Sequence, residues 1–298
     1  MRPFHPCLLI FSLYIFLAFS TPEAHALGQQ GHLIVCELAY SSLSKPQQHT
    51  INNLIDQLPT SQRALINKRL NRPQDASLTF SQSCIWADAI RELESYGKYS
   101  TWHYVNVVRD SEKIVAIEDK RPDILSAMVV HDWQFKNAEN VAEQLEALLF
   151  ISHWFADIHQ PLHVSFESDR GGNDTQVQSR DKRCKNLHQV WDNCLLRDLK
   201  MNQEGWRQAF TQVQAQERAQ FNGVVSTENI LQWSNESLAI TRSKIMAYCH
   251  YAGNSRCEPG TEAIQYNDYY IQQNSPVLKR QMLRAASRLG VYLTNNLP

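Results

Sequence analysis

Apolar residues recur every three or four positions over much of the chain, the pattern of helices that bury one face. The segments with this pattern are 31–43, 46–58, 138–160, 227–249 and 275–293. In the last segment, Ser275 is the expected N-cap and Pro276 the expected first helical residue. Strand-like alternation is confined to residues 102–118. The sequence therefore predicts a mainly α, single helical domain with at most a small β-hairpin.

The first 26 residues have the organisation of a secretory signal peptide. Arg2 precedes an apolar stretch at 7–19, and "AHA" at 24–26 is a small-x-small cleavage site. The apolar stretch is too short to span a bilayer, and no later segment approaches 18 uncharged apolar residues. We therefore expect a mature domain over residues 27–298, beginning at Leu27, that is secreted or periplasmic.

The cysteine content is that of a protein from an oxidising compartment. Loss of Cys7 with the signal peptide leaves six of the seven cysteines. An even number in an exported chain indicates disulfides rather than free buried thiols, although six cysteines allow 15 connectivities. Sequence separation suggests two local pairs, with the remaining two cysteines joined across the fold: Cys184–Cys194, Cys249–Cys257 and Cys36–Cys84.

Charge limits how the chain could hold a nucleic acid. It has 29 basic and 30 acidic side chains, a net charge of −1, and losing Arg2 and Glu23 with the signal peptide leaves that balance unchanged. A protein that grips duplex DNA mainly by neutralising phosphates is expected to be strongly basic. Any nucleic-acid ligand must therefore be held by a local site.

Two His-x-x-x-Asp pairs point to metal binding. His153 and Asp157 are four residues apart, as are His188 and Asp192. On a helix each pair lies one turn apart on the same face, about 6 Å along the axis. A single exposed pair is more often an incidental salt bridge. Two pairs within apolar sequence need partners for their charges, which metal ions supply.

Four further residues extend this set. "WADAIR" contributes Asp88 and "TWHYVNV" contributes His103, while His32 and His163 lie in or beside apolar segments. The total of five histidines and three aspartates is too large for one tetrahedral zinc and fits a cluster. The remaining mature histidines have no comparable partners and are not expected to bind metal: His49, His131, His159 and His250.

Five segments together resemble the S1/P1 nuclease family, the secreted zinc-dependent nucleases of fungi, plants and some bacteria. In chain order they are "WADAIR", "WHYVNV", "HWFADIHQPLHV", "DRGGND" and "NLHQVWD". The resemblance implies an α-helical fold, related to that of zinc-dependent phospholipase C, with three Zn2+ in a cleft. It also implies a disulfide between Cys36 and Cys84.

The resemblance assigns a ligand set to each zinc ion. The first would be held by Asp88, His103, His153 and Asp157. Asp157 would bridge to the second, which His32 and the amino group and carbonyl oxygen of Leu27 would complete. The third would be held by His163, His188 and Asp192. Family members usually begin with tryptophan, but main-chain ligands are available from Leu27 as from any residue.

The resemblance also implies a mechanism and a substrate. Zinc lowers the pKa of a bound water, and Asp88 would orient that water for in-line attack on phosphorus. The third zinc would stabilise the departing 3′ oxygen, giving 5′-phosphate products.

The other implied roles concern substrate binding. Arg91 and Asn173 would contact the phosphate, and Gly171 and Gly172 would allow close backbone approach. Tyr104 would stack on a base, which favours single strands. The expected substrates are single-stranded RNA and DNA and 3′-nucleotides, acted on by a monomer.

Two alternatives remain at this stage. One is a secreted zinc phospholipase C; Asp192, where that class would have a glutamate, argues against it. The other is an exported zinc-binding protein without turnover, which the intact ligand set argues against. Asn235 and Asn173 both match the N-glycosylation acceptor pattern, and Asn173 is expected to be unmodified because glycosylation would block its phosphate role.

Overall fold

The structure, a computed structural model, describes residues 28–118, 122–251 and 256–298. The proposed signal peptide, 1–26, and Leu27 lie outside the described residues. The helices in chain order are α1 Gln29–Ser41, α2 Lys45–Asp56, α3 Thr60–Arg69, α4 Phe80–Ser83, α5 Trp86–Ala89, α6 Ile124–Asn137, α7 Val141–Asp157, α8 Leu187–Gln189, α9 Leu195–Asp198, α10 Gln203–Gln220, α11 Thr227–Thr241 and α12 Asp268–Asn296. The strands are β1 Val105–Val107, β2 Val164–Phe166, β3 Val177–Ser179, β4 Cys249–His250, β5 Glu258–Pro259 and β6 Ile264–Tyr266.

Helix α7 is the centre of the core. Every residue of its last three turns, from Ala147 to Asp157, is buried, as expected for a helix that is apolar on all faces. Helix α6 packs along α7, and α12 packs against α1, α7 and α10. The prediction of a mainly α fold is confirmed. No helix in the described ranges combines the length and apolar character needed to cross a membrane.

The predicted start of the last helix was wrong. Helix α12 is capped by Asn267, whose side chain accepts a hydrogen bond from the Tyr270 N–H, and Pro276 lies inside the helix rather than at its start. Proline removes one helical hydrogen bond. Tyr270 and Asn274 are buried and bond to the carbonyls that precede β4. This tertiary anchoring adds two turns before Ser275 that local sequence signals do not predict.

The strands differ from the expected hairpin. The described residues form three two-stranded sheets: β1 with β2 and β3 with β6, both parallel, and β4 with β5, antiparallel. Val105 pairs with Val164, so His103 and His163 enter the same end of this sheet. The strand-like stretch at 102–118 thus pairs with a distant segment and brings two predicted metal ligands together.

Three disulfides join the described segments: Cys36–Cys84, Cys184–Cys194 and Cys249–Cys257. These are the pairs that sequence separation suggests. The first links α1 to the segment that precedes α5, and the second closes the loop that leads into the π-helix Val190–Cys194. The predicted ligands His32 and Asp88 flank the first disulfide, and His188 and Asp192 lie within the second.

His131 makes the stability of the fold sensitive to acid. It is buried on α6 against the Phe150 and Trp102 rings, and burial lowers its pKa to about 4. Between pH 6.5 and 4 the unfolded chain therefore binds a proton that the folded chain does not. The stability that neutral His131 provides is complete above pH 6.5 and is lost towards pH 4, by about 3 kcal/mol.

We expect His131→Phe to reduce the fall in unfolding free energy between pH 7 and pH 4.5 by about 2–3 kcal/mol. The measurement is urea unfolding in excess chelator, so that metal release does not contribute. Replacing the exposed His49 with glutamine is the control. An unchanged pH dependence in His131→Phe would contradict this assignment.

Candidate metal centre and adjoining pocket

Asp157, the last residue of α7, is fully buried and surrounded by histidines. The distances to its carboxylate oxygens are 3.0 Å from His103 Nδ1, 3.1 Å from His153 Nε2, 3.2 Å from His32 Nε2 and 3.4 Å from His163 Nδ1. Burial alone would raise the pKa of Asp157, but the His153 and His163 charges and the bonds with His103 and His153 hold it well below its ordinary value. The carboxylate at the centre of the site is therefore favoured in its ionised form.

The predicted side-chain ligands form three buried groups whose ligand atoms lie within 4.8 Å of one another in each group. The groups are Asp88–His103–His153, His32–His153–Asp157 and His163–His188–Asp192. His153 belongs to two of them, and its ring stacks on that of His32 with centroids 3.8 Å apart. The structure thus brings together all eight predicted side-chain ligands, while the ninth, Leu27, lies outside the described residues.

Main-chain carbonyls determine which ring nitrogen faces each group. Three histidines have Nδ1 within hydrogen-bond distance of a carbonyl oxygen: His153 with Cys84 at 2.7 Å, His163 with His103 at 2.8 Å and His188 with Gly171 at 2.8 Å. A nitrogen that donates to a carbonyl carries the proton, so the lone pair of the neutral ring is on Nε2. This is the arrangement in which histidines bind metal.

Several atoms of the site are buried without a hydrogen-bond partner. They are both ring nitrogens of His32, Nε2 of His103 and His163, and Oδ1 of Asp88 and Asp157. Leaving a buried donor or acceptor unpaired costs about 1–3 kcal/mol each, and metal ions would satisfy these atoms. The imidazole and carboxylate donor set suits zinc, so the residues present fit the cofactor that the sequence predicts.

The charges of the site couple the binding of a metal ion to the release of a proton. Burial lowers the pKa of His163, but Asp157 and Asp192 outweigh it and raise the value to about 9. Burial raises the pKa of Asp88, whereas His153, His103 and His32 bring it down to about 2. Asp88 is thus ionised at neutral pH, and a metal ion must displace the His163 proton to bind there.

Asp88 and His103 are placed by short, irregular elements. Asp88 lies on α5, four residues after Cys84 of the disulfide to α1. Arg91 follows one turn later, with a guanidinium nitrogen 3.5 Å from Asp88 Oδ1. His103 is the last residue of the 3-10 helix Glu94–His103, and not part of a strand as its sequence suggested. No long helix carries Asp88 or His103. The disulfide and the surrounding aromatic core hold the short elements that do.

The glycines of "DRGGND" have a packing role within the chain, and their role at the phosphate stays a prediction. Gly171 and Gly172 have φ of +65° and +81°, a region that favours glycine. A Cβ on Gly171 would lie 2.8 Å from the Leu162 carbonyl oxygen. The close approach is therefore made to the segment that carries His163, and it allows the Gly171 carbonyl to reach His188.

A pocket of about 270 Å³ opens beside the groups. Three predicted ligands line it, His103, His163 and His188, as do the predicted substrate contacts Arg91, Tyr104 and Asn173. The Tyr104 ring is 36% exposed, as an aromatic that stacks on a ligand must be. The Asn173 side chain donates to the Arg170 carbonyl, which holds it at the rim.

Sequence reasoning missed several residues of this region. Asn106 and Arg170 also line the pocket, and Asn106 Oδ1 is buried without a hydrogen-bond partner. A polar residue inside an apolar strand is the signal that could have found Asn106. Gln160 lies buried between ligand segments. The Gly28 N–H donates to the Asp192 carbonyl at 3.0 Å, and a Cβ on Gly28 would lie 2.6 Å from that oxygen.

The histidines not expected to bind metal lie outside the three groups in the described chain. His159 Nε2 lies 2.7 Å from a guanidinium nitrogen of Arg288, which is itself paired with Glu236.

The Asn235 amide donates to the Ile114 and Leu231 carbonyls. The amide that would accept a glycan is therefore already engaged.

A buried cluster of histidines and aspartates that could hold metal ions lies on a helical scaffold beside an open pocket. The family model for S1/P1 nuclease matches residues 27–297. The chain therefore belongs to the S1/P1 nuclease family.

Curated relatives carry consistent names. The Arabidopsis thaliana protein "Endonuclease 2" is 30% identical over 196 residues, which is 61% of this chain and 60% of that protein. "Endonuclease 1" from the same plant is 25% identical over 96% of this chain and 92% of the relative. "Nuclease S1" of Aspergillus oryzae is 25% identical over 55% of this chain and 53% of its own length. The prediction of a nuclease is confirmed at the level of the family.

Proposed function

We propose that this chain is an exported nuclease with three zinc ions that cleaves single-stranded RNA and DNA internally and leaves 5′-phosphates. We propose that it also removes phosphate from 3′-nucleotides. The observation that carries this proposal is an open pocket lined by ligands of two of the three buried groups, the third group sharing His153 with one of them. Bound zinc would lower the pKa of a coordinated water, and the zinc ions would place positive charge beside the phosphate.

In this proposal Asp88 orients the attacking water. It is ionised, because its pKa is about 2, and its Oδ1 has no hydrogen-bond partner. The guanidinium of Arg91 lies 3.5 Å from that oxygen and also lines the pocket, so it can bind the phosphate next to the water. Asn173, which also lines the pocket, would supply a neutral amide donor for a second phosphate oxygen.

The pocket supports a preference for single strands. Tyr104 and the proposed ligand His103 line the same pocket, so a base stacked on the Tyr104 ring would lie near the reacting phosphate. A base in a duplex is covered by its neighbours and must be unstacked before it can reach such a ring. The near-neutral charge of the chain removes the alternative of holding duplex DNA by a broad basic face.

A substrate panel on the processed, zinc-loaded protein tests the proposal. We expect cleavage of single-stranded DNA and RNA, slower cleavage of the matched duplex, and release of phosphate from 3′-AMP but not 5′-AMP. End-labelling of the products should show 5′-phosphates. Hydrolysis of phosphatidylcholine without cleavage of nucleic acid would instead support the phospholipase alternative, and three bound zinc ions without any hydrolysis would support a binding protein.

Tyr104→Ala should weaken binding of single strands while leaving the metals in place. Loss of base stacking is worth about 1–3 kcal/mol, so KM should rise roughly 5- to 150-fold with little change in the KM for a substrate without a base. Tyr269→Ala is the control, because Tyr269 is an exposed tyrosine on α12 that does not line the pocket. Equal effects of the two substitutions would exclude Tyr104 as the stacking residue.

A further inference from the structure

Gln160 is a buried polar residue with no role among the predicted ligands. It lies in the turn between the end of α7 and β2, within "DIHQPLH", and its side chain is inaccessible to solvent. Its backbone N–H donates to the Asp157 carbonyl at 2.9 Å, and its carbonyl accepts from the His163 N–H at 3.0 Å. The main chain of Gln160 therefore sets the spacing between two proposed ligands of different metal ions.

The Gln160 side chain reaches a third proposed ligand. Nε2 donates to Oδ1 of Asp192 at 2.6 Å, and Oε1 accepts from the Leu162 N–H at 2.5 Å. The orientation of the amide is fixed, because the backbone N–H of Leu162 can only donate and must face the amide oxygen. The amide NH2 is thus held towards Asp192 by a bond within its own turn.

This contact orients the Asp192 carboxylate between the two histidines of its group. Oδ1, which accepts from Gln160, lies 3.8 Å from Nε2 of His163, and Oδ2 lies 3.4 Å from Nε2 of His188. A neutral amide donor holds the carboxylate without competing for it as a cation would. We propose that Gln160 is a positioning residue that orients Asp192 for the metal ion of the His163–His188–Asp192 group. This inference rests on the proposed function.

The role can be separated from simple structural support by metal affinity. Partners that hold a metal ligand typically contribute 10- to 100-fold to metal affinity. Gln160→Met keeps the length of the side chain but removes the donor. Gln160→Glu keeps the bond from the Leu162 N–H and turns a carboxylate oxygen towards Asp192. Zinc titration against a chelating dye at pH 8 should show one ion bound about 10- to 100-fold more weakly in both variants, and two ions bound as in the parent.

A second buried glutamine provides the matched control. Gln281 of α12 is 1% exposed and donates to the His159 carbonyl of the same turn, but it contacts no proposed ligand in the described hydrogen-bond network. Gln281→Met should lower the melting temperature and leave all three zinc affinities unchanged. To identify the weakened site, Gln160→Met is added to His188→Ala, where it should cause no further loss of zinc.

Each outcome distinguishes the inference from the proposed function. If the parent binds three zinc ions and both Gln160 variants bind them with parental affinity, the positioning role is wrong and the proposed function stands. The role is also wrong if Gln281→Met weakens the same ion equally. A parent that binds fewer than three zinc ions and cleaves no nucleic acid overturns the proposed function, and the inference with it.

Discussion

Asp157→Asn is expected to remove most bound metal and to lower the rate of nucleic-acid cleavage more than about 10³-fold, since a metal ion contributes several kcal/mol to stabilising the transition state. Asp157 carries the carboxylate that four histidines surround at 3.0–3.4 Å. Asparagine has nearly the same volume but no charge, so the helix and the core around it should remain. Metal analysis and nuclease assays on the folded variant are the measurements.

Asp132→Asn is the control for this prediction. Asp132 is also a largely buried aspartate on a core helix, paired with Lys136 and belonging to none of the three ligand groups. It should retain all its metal and parental activity. An Asp157→Asn variant that bound as much zinc as the parent and cleaved at a similar rate would show that this carboxylate does not hold the metals.

A protein with one extra residue ahead of Leu27 is expected to be nearly inactive and to bind one zinc ion fewer. A free α-amino group, with an ordinary pKa of about 7.7–8.0, can lose its proton and bind metal, whereas an amide nitrogen cannot do so at neutral pH. An extra residue therefore converts the proposed ligand into an amide. The adjacent Gly28 is held against the Asp192 carbonyl without room for a Cβ, so the chain cannot slide by one residue to compensate.

The comparison for this prediction is the same added residue placed after Pro298, which should leave activity and zinc content unchanged. Amino-terminal sequencing of both proteins must accompany the assay, because the expected start at Leu27 is itself a prediction. Full activity and three zinc ions in the extended protein would show that the amino terminus takes no part in the site.

The helical fold could be predicted from the sequence because its signal is local. The apolar periodicity of α1, α2, α7 and α11 is contained in each segment. The start of α12 could not be predicted, because Tyr270 and Asn274 are anchored to a segment more than 20 residues away. The parallel pairing of Val105 with Val164 likewise depends on contacts between distant parts of the chain.

Four of the proposed metal ligands were accessible to sequence reasoning because His153/Asp157 and His188/Asp192 are each spaced by one helical turn. Their supporting contacts were not. Gln160 has no sequence feature that separates it from a solvent-exposed glutamine, and its role follows only from the turn that points it at Asp192. The packing of Gly28 against Asp192 likewise has no feature in the sequence that predicts it.

The positions of two disulfides have a consequence for the cell that makes this protein. Cys84, whose carbonyl accepts a hydrogen bond from His153, forms a disulfide with Cys36. Cys194, the last residue of the π-helix that carries Asp192, forms a disulfide with Cys184. Such bonds form outside the reducing cytoplasm, where the proposed removal of residues 1–26 also takes place. Under the proposed function, the newly made chain would remain latent beside the RNA from which it is translated, without needing a separate inhibitor.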